Sequence, residues 1–130
     1  MATELDYIEQ GSGEAVFLLH STAAGNKQWR KLIDELSPYF KVIAPNLIGY
    51  GSTPHWTEQQ LQTLNDQVAL LDDVFQRYQK FSIVGHSFGG SVAMTAAKNY
   101  PKKLKISSLL SQTRFIFWSR IRIGKLLMKR

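Results

Sequence analysis

The stretch that decides the fold is Phe81-Ser82-Ile83-Val84-Gly85-His86-Ser87-Phe88-Gly89-Gly90. Its first four residues read as a short strand buried in a sheet. Ser91 to Asn99 reads as a small-residue helix ended by Pro101. Ser87 therefore sits on a tight turn between a strand and a helix, where its hydroxyl projects above the sheet. Gly85 and Gly89 have no β-carbon, so strand and helix approach closely around that turn. The Phe88 N–H, at the start of a helix, then points to where negative charge develops if Ser87 attacks a carbonyl. The alternatives are a Gly-rich strand-to-helix turn that only packs closely, or a fortuitous five-residue match, and the strand before it and Gly90 after it weigh against both.

Working outward, Ala15-Val16-Phe17-Leu18-Leu19 is a continuous apolar run after Gly11-Ser12-Gly13 and reads as a strand buried on both faces. Trp29, Leu32, Ile33 and Leu36 fall at helical spacing and form an apolar stripe that Pro38 ends. Val42-Ile43-Ala44 is another buried strand, stopped by Pro45. Residues 46–56 are loop. Thr57-Glu58-Gln59-Gln60 has the form of a capping box. It predicts a long helix bearing Leu61, Leu64, Val68, Leu71, Phe75 and Tyr78 on one face. Leu104 to Leu110 reads as a fourth strand. Strands alternating with helices mean crossover units, so the fold class is α/β, with a mostly parallel sheet and helices on both faces. Ligands of such sheets bind at the carboxyl ends of the strands.

Composition bounds the function. The 130 residues are 44% hydrophobic and 20% charged, enough for one globular core. With no cysteine, disulfide scaffolds and cysteine nucleophiles are excluded. No apolar run approaches the roughly 18 residues that span a bilayer, and the acidic start lacks the layout of a secretory signal. A cytoplasmic location is the expectation. No metal-ligand spacing and no phosphate-binding glycine pattern is present, so no metal and no cofactor are expected.

The net charge of +6 is unevenly distributed. Residues 1–73 hold all 10 acids and four bases, whereas residues 74–130 hold 12 bases and no acid. A basic tail with Phe115, Phe117 and Trp118 among its arginines suits anionic membrane or nucleic acid. No periodicity or recognition motif supports that contact, and an unselected tail is the preferred reading.

Taken together, Gly11-Ser12-Gly13, Leu18-Leu19-His20-Ser21, Trp29, Pro45-Asn46-Leu47-Ile48-Gly49-Tyr50-Gly51-Ser52-Thr53 and Gly85-His86-Ser87-Phe88-Gly89-Gly90 resemble the N-terminal half of the α/β-hydrolase superfamily. The resemblance covers roughly residues 5–110. It implies a nucleophile elbow with Ser87 as catalytic nucleophile, and an oxyanion hole made by the N–H groups of Thr22 and Phe88. It implies supporting roles for His20, Gly85, His86 and Gly89, with His20 a scaffold element and not the base. The substrate class implied is a small molecule with an ester or related acyl bond, cleaved through an acyl-serine. A serine at this position argues against haloalkane dehalogenase and epoxide hydrolase relatives, which use an aspartate there. Two departures stand out: members usually carry Gly where Ser21 stands, and often Asp where Asn46 stands.

A serine hydroxyl needs a base to take its proton and a carboxylate to orient that base, in the chain order Ser, acid, His. Residues 88–130 contain no Asp, Glu or His. His86 adjoins Ser87 with its side chain expected to diverge, His55 reads as a solvated loop residue, and Asp72 and Asp73 read as a solvated helix face. The expectation is therefore a truncated, catalytically incomplete chain. Residues 1–110 would be the hydrolase part and 111–130 a tail outside the native fold. With one choice of codons, Leu110 to Arg120 back-translates to a sequence whose shifted frame reads Glu-Pro-Asn-Pro-Phe-Tyr-Leu-Leu-Glu-Gln. A frameshift near Leu109 is the expectation this raises. Oligomeric state is left open.

Overall fold

All five residues of β2 (Ala15–Leu19) are buried because alternate side chains leave its two faces into two separate cores. Ala15, Phe17 and Leu19 enter one core, and Val16 and Leu18 the other. A strand covered on both sides has no place for polar residues, which is why its sequence shows no alternation. The computed structural model describes residues 5–104, together with the backbone of two further strands at 107–110 and 115–118.

The main sheet has four strands in the order β1 (Tyr7–Gln10), β3 (Lys41–Pro45), β2 and β4 (Phe81–Gly85). β2 runs parallel to both β3 and β4, and β1 is antiparallel to β3 at the edge. A short 3₁₀ turn at Asn26–Trp29 leads into α1 (Arg30–Leu36), whose Leu32, Ile33 and Leu36 pack with Trp29 on Val16, Leu18 and Val42. The opposite face is covered by α2 (Leu64–Phe75) and α3 (Phe88–Asn99). There Phe17 lies edge-on to Phe75 at 4.8 Å and to Phe81 at 5.1 Å, while Phe75 and Phe81 stack at 4.7 Å. Each such buried aromatic contributes about 1.5–3 kcal/mol by removal from water. The α/β architecture with helices on both faces stands as the sequence implied.

Three details differ from the sequence reading. The long helix starts at Leu64, not after Thr57, and ends at Phe75 before Tyr78. Its cap is Thr63: the Thr63 N–H donates to Asp66 Oδ2 at 2.7 Å, and the Asp66 N–H donates to Thr63 Oγ1 at 3.3 Å. A carboxylate at the third helical position also favours the positive helix end, which the amide of Gln60 does not do. Leu61, counted in the apolar stripe, is 88% exposed outside the helix. Of the strand expected at 104–110, Leu104 lies in no strand, residues 105–106 lie outside the described residues, and the remainder is β5 (Ser107–Leu110). It pairs antiparallel with β6 (Phe115–Trp118) in a second sheet instead of extending the parallel one. β1 was not anticipated. It is a four-residue edge strand with two exposed positions, and carries too little apolar patterning to be visible. The rest of the basic tail, 111–114 and 119–130, lies outside the described residues. Among the described residues no helix is long and apolar enough to cross a membrane.

Candidate active site

The connection after β2 leads to α1 on one face of the sheet, and the connection after β4 leads to α3 on the other. The chain thus leaves neighbouring parallel strands in opposite directions, which opens a crevice at their carboxyl ends. Leu19 and Gly85 are register partners, so residues 20–24 and 86–88 flank this crevice side by side.

Ser87 has φ 55° and ψ −115°, a conformation that non-glycine residues adopt at a cost of roughly 1–3 kcal/mol. The turn around it explains the cost and enforces it. The His86 N–H donates to Leu19 O at 3.1 Å, anchoring the turn to β2. The Gly89 N–H donates to His86 O at 2.9 Å and the Gly90 N–H to Ser87 O at 2.9 Å, so the helix begins at once. A β-carbon on Gly89 would lie 2.1 Å from Leu19 O, and one on Gly85 would lie 2.5 Å from Gly89 O. Both glycines are therefore required by close approach of helix and strands. Ser87 itself is exposed.

Across the crevice, Ser21 to Ala24 form a turn closed by the Ala24 N–H donating to Ser21 O at 3.2 Å. Its third residue, Ala23, has φ 68°, as a type II turn demands. Among the described residues Ala23 and Ser87 are the non-glycine residues with positive φ, and they flank the same crevice. Strain gathered at one place is a mark of a functional site. Ala23 is held by its N–H, which donates to Tyr50 Oη at 2.7 Å.

His20 is fully buried beneath this turn. The Leu47 N–H donates to its Nε2 at 3.0 Å, so the ring proton is on Nδ1, which donates to Ser21 O at 2.8 Å. Burial holds its pKa below the ordinary histidine value, and the Ser21 carbonyl opposes that only in part. With both nitrogens committed, His20 does not take a proton from Ser87. Its effect on the site is geometric. Ser21 C=O is drawn toward His20 and Ala24, and the Thr22 N–H of the same trans peptide points the opposite way. Thr22 is exposed. Neither the Thr22 N–H nor the Phe88 N–H has a hydrogen-bond acceptor among the described residues.

The structure thus brings Thr22, Phe88 and Ser87 to one crevice, with His20, Gly85, His86 and Gly89 beneath or beside it. His55 is exposed, with its ring against Gly49. Asp72, at the far end of α2, accepts from the Gln76 side chain at 3.4 Å. Among the described residues no three His, Cys, Asp or Glu side chains are grouped to hold a metal ion.

The sequence reading missed Gln28, Tyr50 and the pairing of Asn46 with Asp6. Asn46 Oδ1 accepts from the Asn26 N–H at 2.7 Å, while Asn46 Nδ2 donates to Asp6 Oδ2 at 2.9 Å. That oxygen also accepts from the Ser52 N–H at 2.9 Å, and these donors hold the Asp6 carboxyl below its ordinary pKa. The carboxylate of this loop thus comes from Asp6, and the amide at 46 is its complement. No local spacing signals a pair 40 residues apart.

Comparison with known proteins identifies the family of the fold. Residues 14–122 match the family model described as alpha/beta hydrolase fold. The chain is 29% identical over 107 residues to a 2-hydroxy-6-oxo-2,4-heptadienoate hydrolase of Pseudomonas putida, covering 78% of this chain and 38% of that protein. It is 31% identical over 116 residues to a pimeloyl-[acyl-carrier protein] methyl ester esterase of Vibrio campbellii, covering 88% of this chain and 44% of the relative. Among solved structures, an epoxide hydrolase of Bacillus megaterium superposes with a TM-score of 0.72 at 28% identity, over 78% of this chain and 36% of that one. The chain spans less than half the length of these relatives. Fold, crevice and similarity agree: the chain belongs to the α/β-hydrolase family.

Proposed function

We propose that this chain carries the nucleophile and oxyanion half of a serine hydrolase site acting on an ester or related acyl bond. The observation that carries the reading is Ser87, forced to φ 55° and exposed at the N-terminus of α3, between two loops. In this reading Ser87 Oγ attacks the acyl carbonyl. The carbonyl oxygen takes up negative charge between the N–H groups of Thr22 and Phe88, and the alcohol leaves to give an acyl-serine. Removing one such N–H donor costs about 10²–10³ in rate where it has been measured. The field of α3 favours the same charge.

The proton of Ser87 needs an acceptor. His20 is committed at both nitrogens and His86 Nδ1 meets the side chain of Gln28. In this reading the base and its carboxylate come from outside residues 5–104, and activity requires them to be supplied.

The test is stoichiometric labelling with a fluorophosphonate, in buffer and with added imidazole as a replacement base, read by mass spectrometry of peptides. Adduct on Ser87, faster with imidazole and absent from Ser87→Ala, supports the reading. Failure of Ser87 to label in imidazole while the chain remains folded overturns it.

A further inference from the structure

We propose that Gln28 is a positioning residue of this site. Its side-chain amide locks the loop after β2 to the turn after β4, and so holds the Thr22 and Phe88 N–H groups in register. The role in catalysis rests on the reading of Ser87 given above, whereas the lock itself does not.

Gln28 belongs to the 3₁₀ turn Asn26–Trp29, which begins with the Gln28 N–H donating to Gly25 O at 3.2 Å. The turn points the next residue, Trp29, into the core beside α1, and leaves the half-buried Gln28 side chain at the crevice. One end of its amide receives the Ser21 N–H at 2.9 Å and the Ser21 hydroxyl at 3.2 Å. A backbone N–H is only ever a donor, so this end is the carbonyl oxygen and the orientation of the amide is fixed. The NH₂ end then faces His86 Nδ1 and donates to it. That bond requires Nδ1 to be unprotonated and assigns the ring proton of neutral His86 to Nε2.

Ser21 directly precedes Thr22, and His86 directly precedes Ser87. One planar amide thus connects the residue before one expected oxyanion donor, Thr22, to the residue before the nucleophile, Ser87, whose other neighbour Phe88 is the second donor. It also accounts for Ser21 where the family usually has glycine: the hydroxyl gives the Gln28 oxygen a second donor. A glutamine that served only to fill space would leave the ring state of His86 indifferent to its chemistry.

The experiment uses the full 15N-labelled chain and long-range 1H–15N spectra of the histidine rings. In the wild type His86 is expected to show a bare Nδ1 and a protonated Nε2. Gln28→Glu presents oxygen to both neighbours, so His86 Nδ1 must acquire a proton and the ring pattern changes. Gln28→Leu, which removes the donor to Nδ1, is expected to shift the His86 ring signals and to speed hydrogen exchange of the Ser21 amide at least tenfold. Amide dispersion and the thermal midpoint report whether each variant is folded, and either folded variant suffices. An unaltered His86 pattern in a folded variant overturns the lock. Fluorophosphonate labelling in imidazole separates the two readings. A fall of at least tenfold in Gln28→Leu with Ser87 still labelled supports positioning, and equal rates overturn it. An unlabelled wild type overturns the serine reading while the ring spectra still decide the lock.

Discussion

The backbone N–H of Leu47 donates to Nε2 of His20 at 3.0 Å, joining the segment after β3 to the loop after β2 through a ring with no exposure to solvent. Protonation of His20 destroys this bond, because the acceptor becomes a donor facing another donor. Burial lowers the folded-state pKa, so the unfolded chain binds the proton more readily. Stability is then full above the unfolded value of about 6.5 and declines as pH falls from there toward the folded value. Thermal midpoints from pH 8 to 5 are expected to drop in the wild type and to drop less in His20→Asn. His20→Leu, which leaves the Leu47 N–H and Ser21 carbonyl unpaired, is expected to cost about 1–3 kcal/mol for each group left unsatisfied at pH 8. Denaturant unfolding measures it.

Asn46→Asp is expected to destabilise the chain although it is nearly isosteric. The new carboxylate still accepts from the Asn26 N–H, but it loses the donor to Asp6 and places a second negative charge beside it. A loss of about 1–3 kcal/mol at pH 7 is expected. Asp6→Asn in the same chain should recover part of that loss. A double-mutant cycle with no coupling between the two positions contradicts the pairing.

Asp6 supplies an acid-side dependence of opposite chemical type. Its folded pKa is depressed by the Ser52 N–H and then by the Asn46 amide. The stability it contributes is present above the unfolded carboxylate value of about 3.9 and is lost as pH falls through the lower folded value. In Asp6→Asn that part of the acid transition should be missing. Unfolding followed from pH 5 to 2 checks it.

Ser87→Gly should raise stability by up to about 1–3 kcal/mol, since glycine takes φ 55° without the β-carbon clash. Fluorophosphonate labelling should vanish in the same variant. Ala23→Gly, at φ 68°, should stabilise by a smaller amount and leave labelling in place.

Gly89→Ala is expected to be among the costliest single substitutions in the described chain. Its β-carbon would meet the carbonyls of Leu19 at 2.1 Å and His20 at 2.6 Å, both backbone atoms that cannot swing away. Helix α3 must then lift from β2, at a cost of about 1–3 kcal/mol or more. A lowered thermal midpoint together with slower Ser87 labelling is the expected outcome.

The legible parts of this fold were those in which one residue type has one physical use. Ala15–Leu19 reads as a strand covered on both faces, and Gly85 and Gly89 around Ser87 read as a close strand-to-helix turn, and the structure has both. The start of α2 is not legible because Thr57 and Thr63 both head capping patterns, and only the reciprocal hydrogen bonds of Thr63 and Asp66, seen in the folded chain alone, place the first helical residue at Leu64. β1 escaped because its register with β3, Tyr7 against Pro45, is a long-range fact with almost no local imprint. Gln28 escaped for the same reason, its partner His86 being 58 residues away.

Because Leu19 and Gly85 are partners on adjacent parallel strands, the gap between the two loops is set by the spacing of a sheet, about 4.8 Å. Strand spacing is among the least compliant lengths in a folded chain, whereas helices slide and loops lengthen at little expense. The crevice is gauged by the stiffest ruler available. Substitutions elsewhere can reshape what enters it without changing its width.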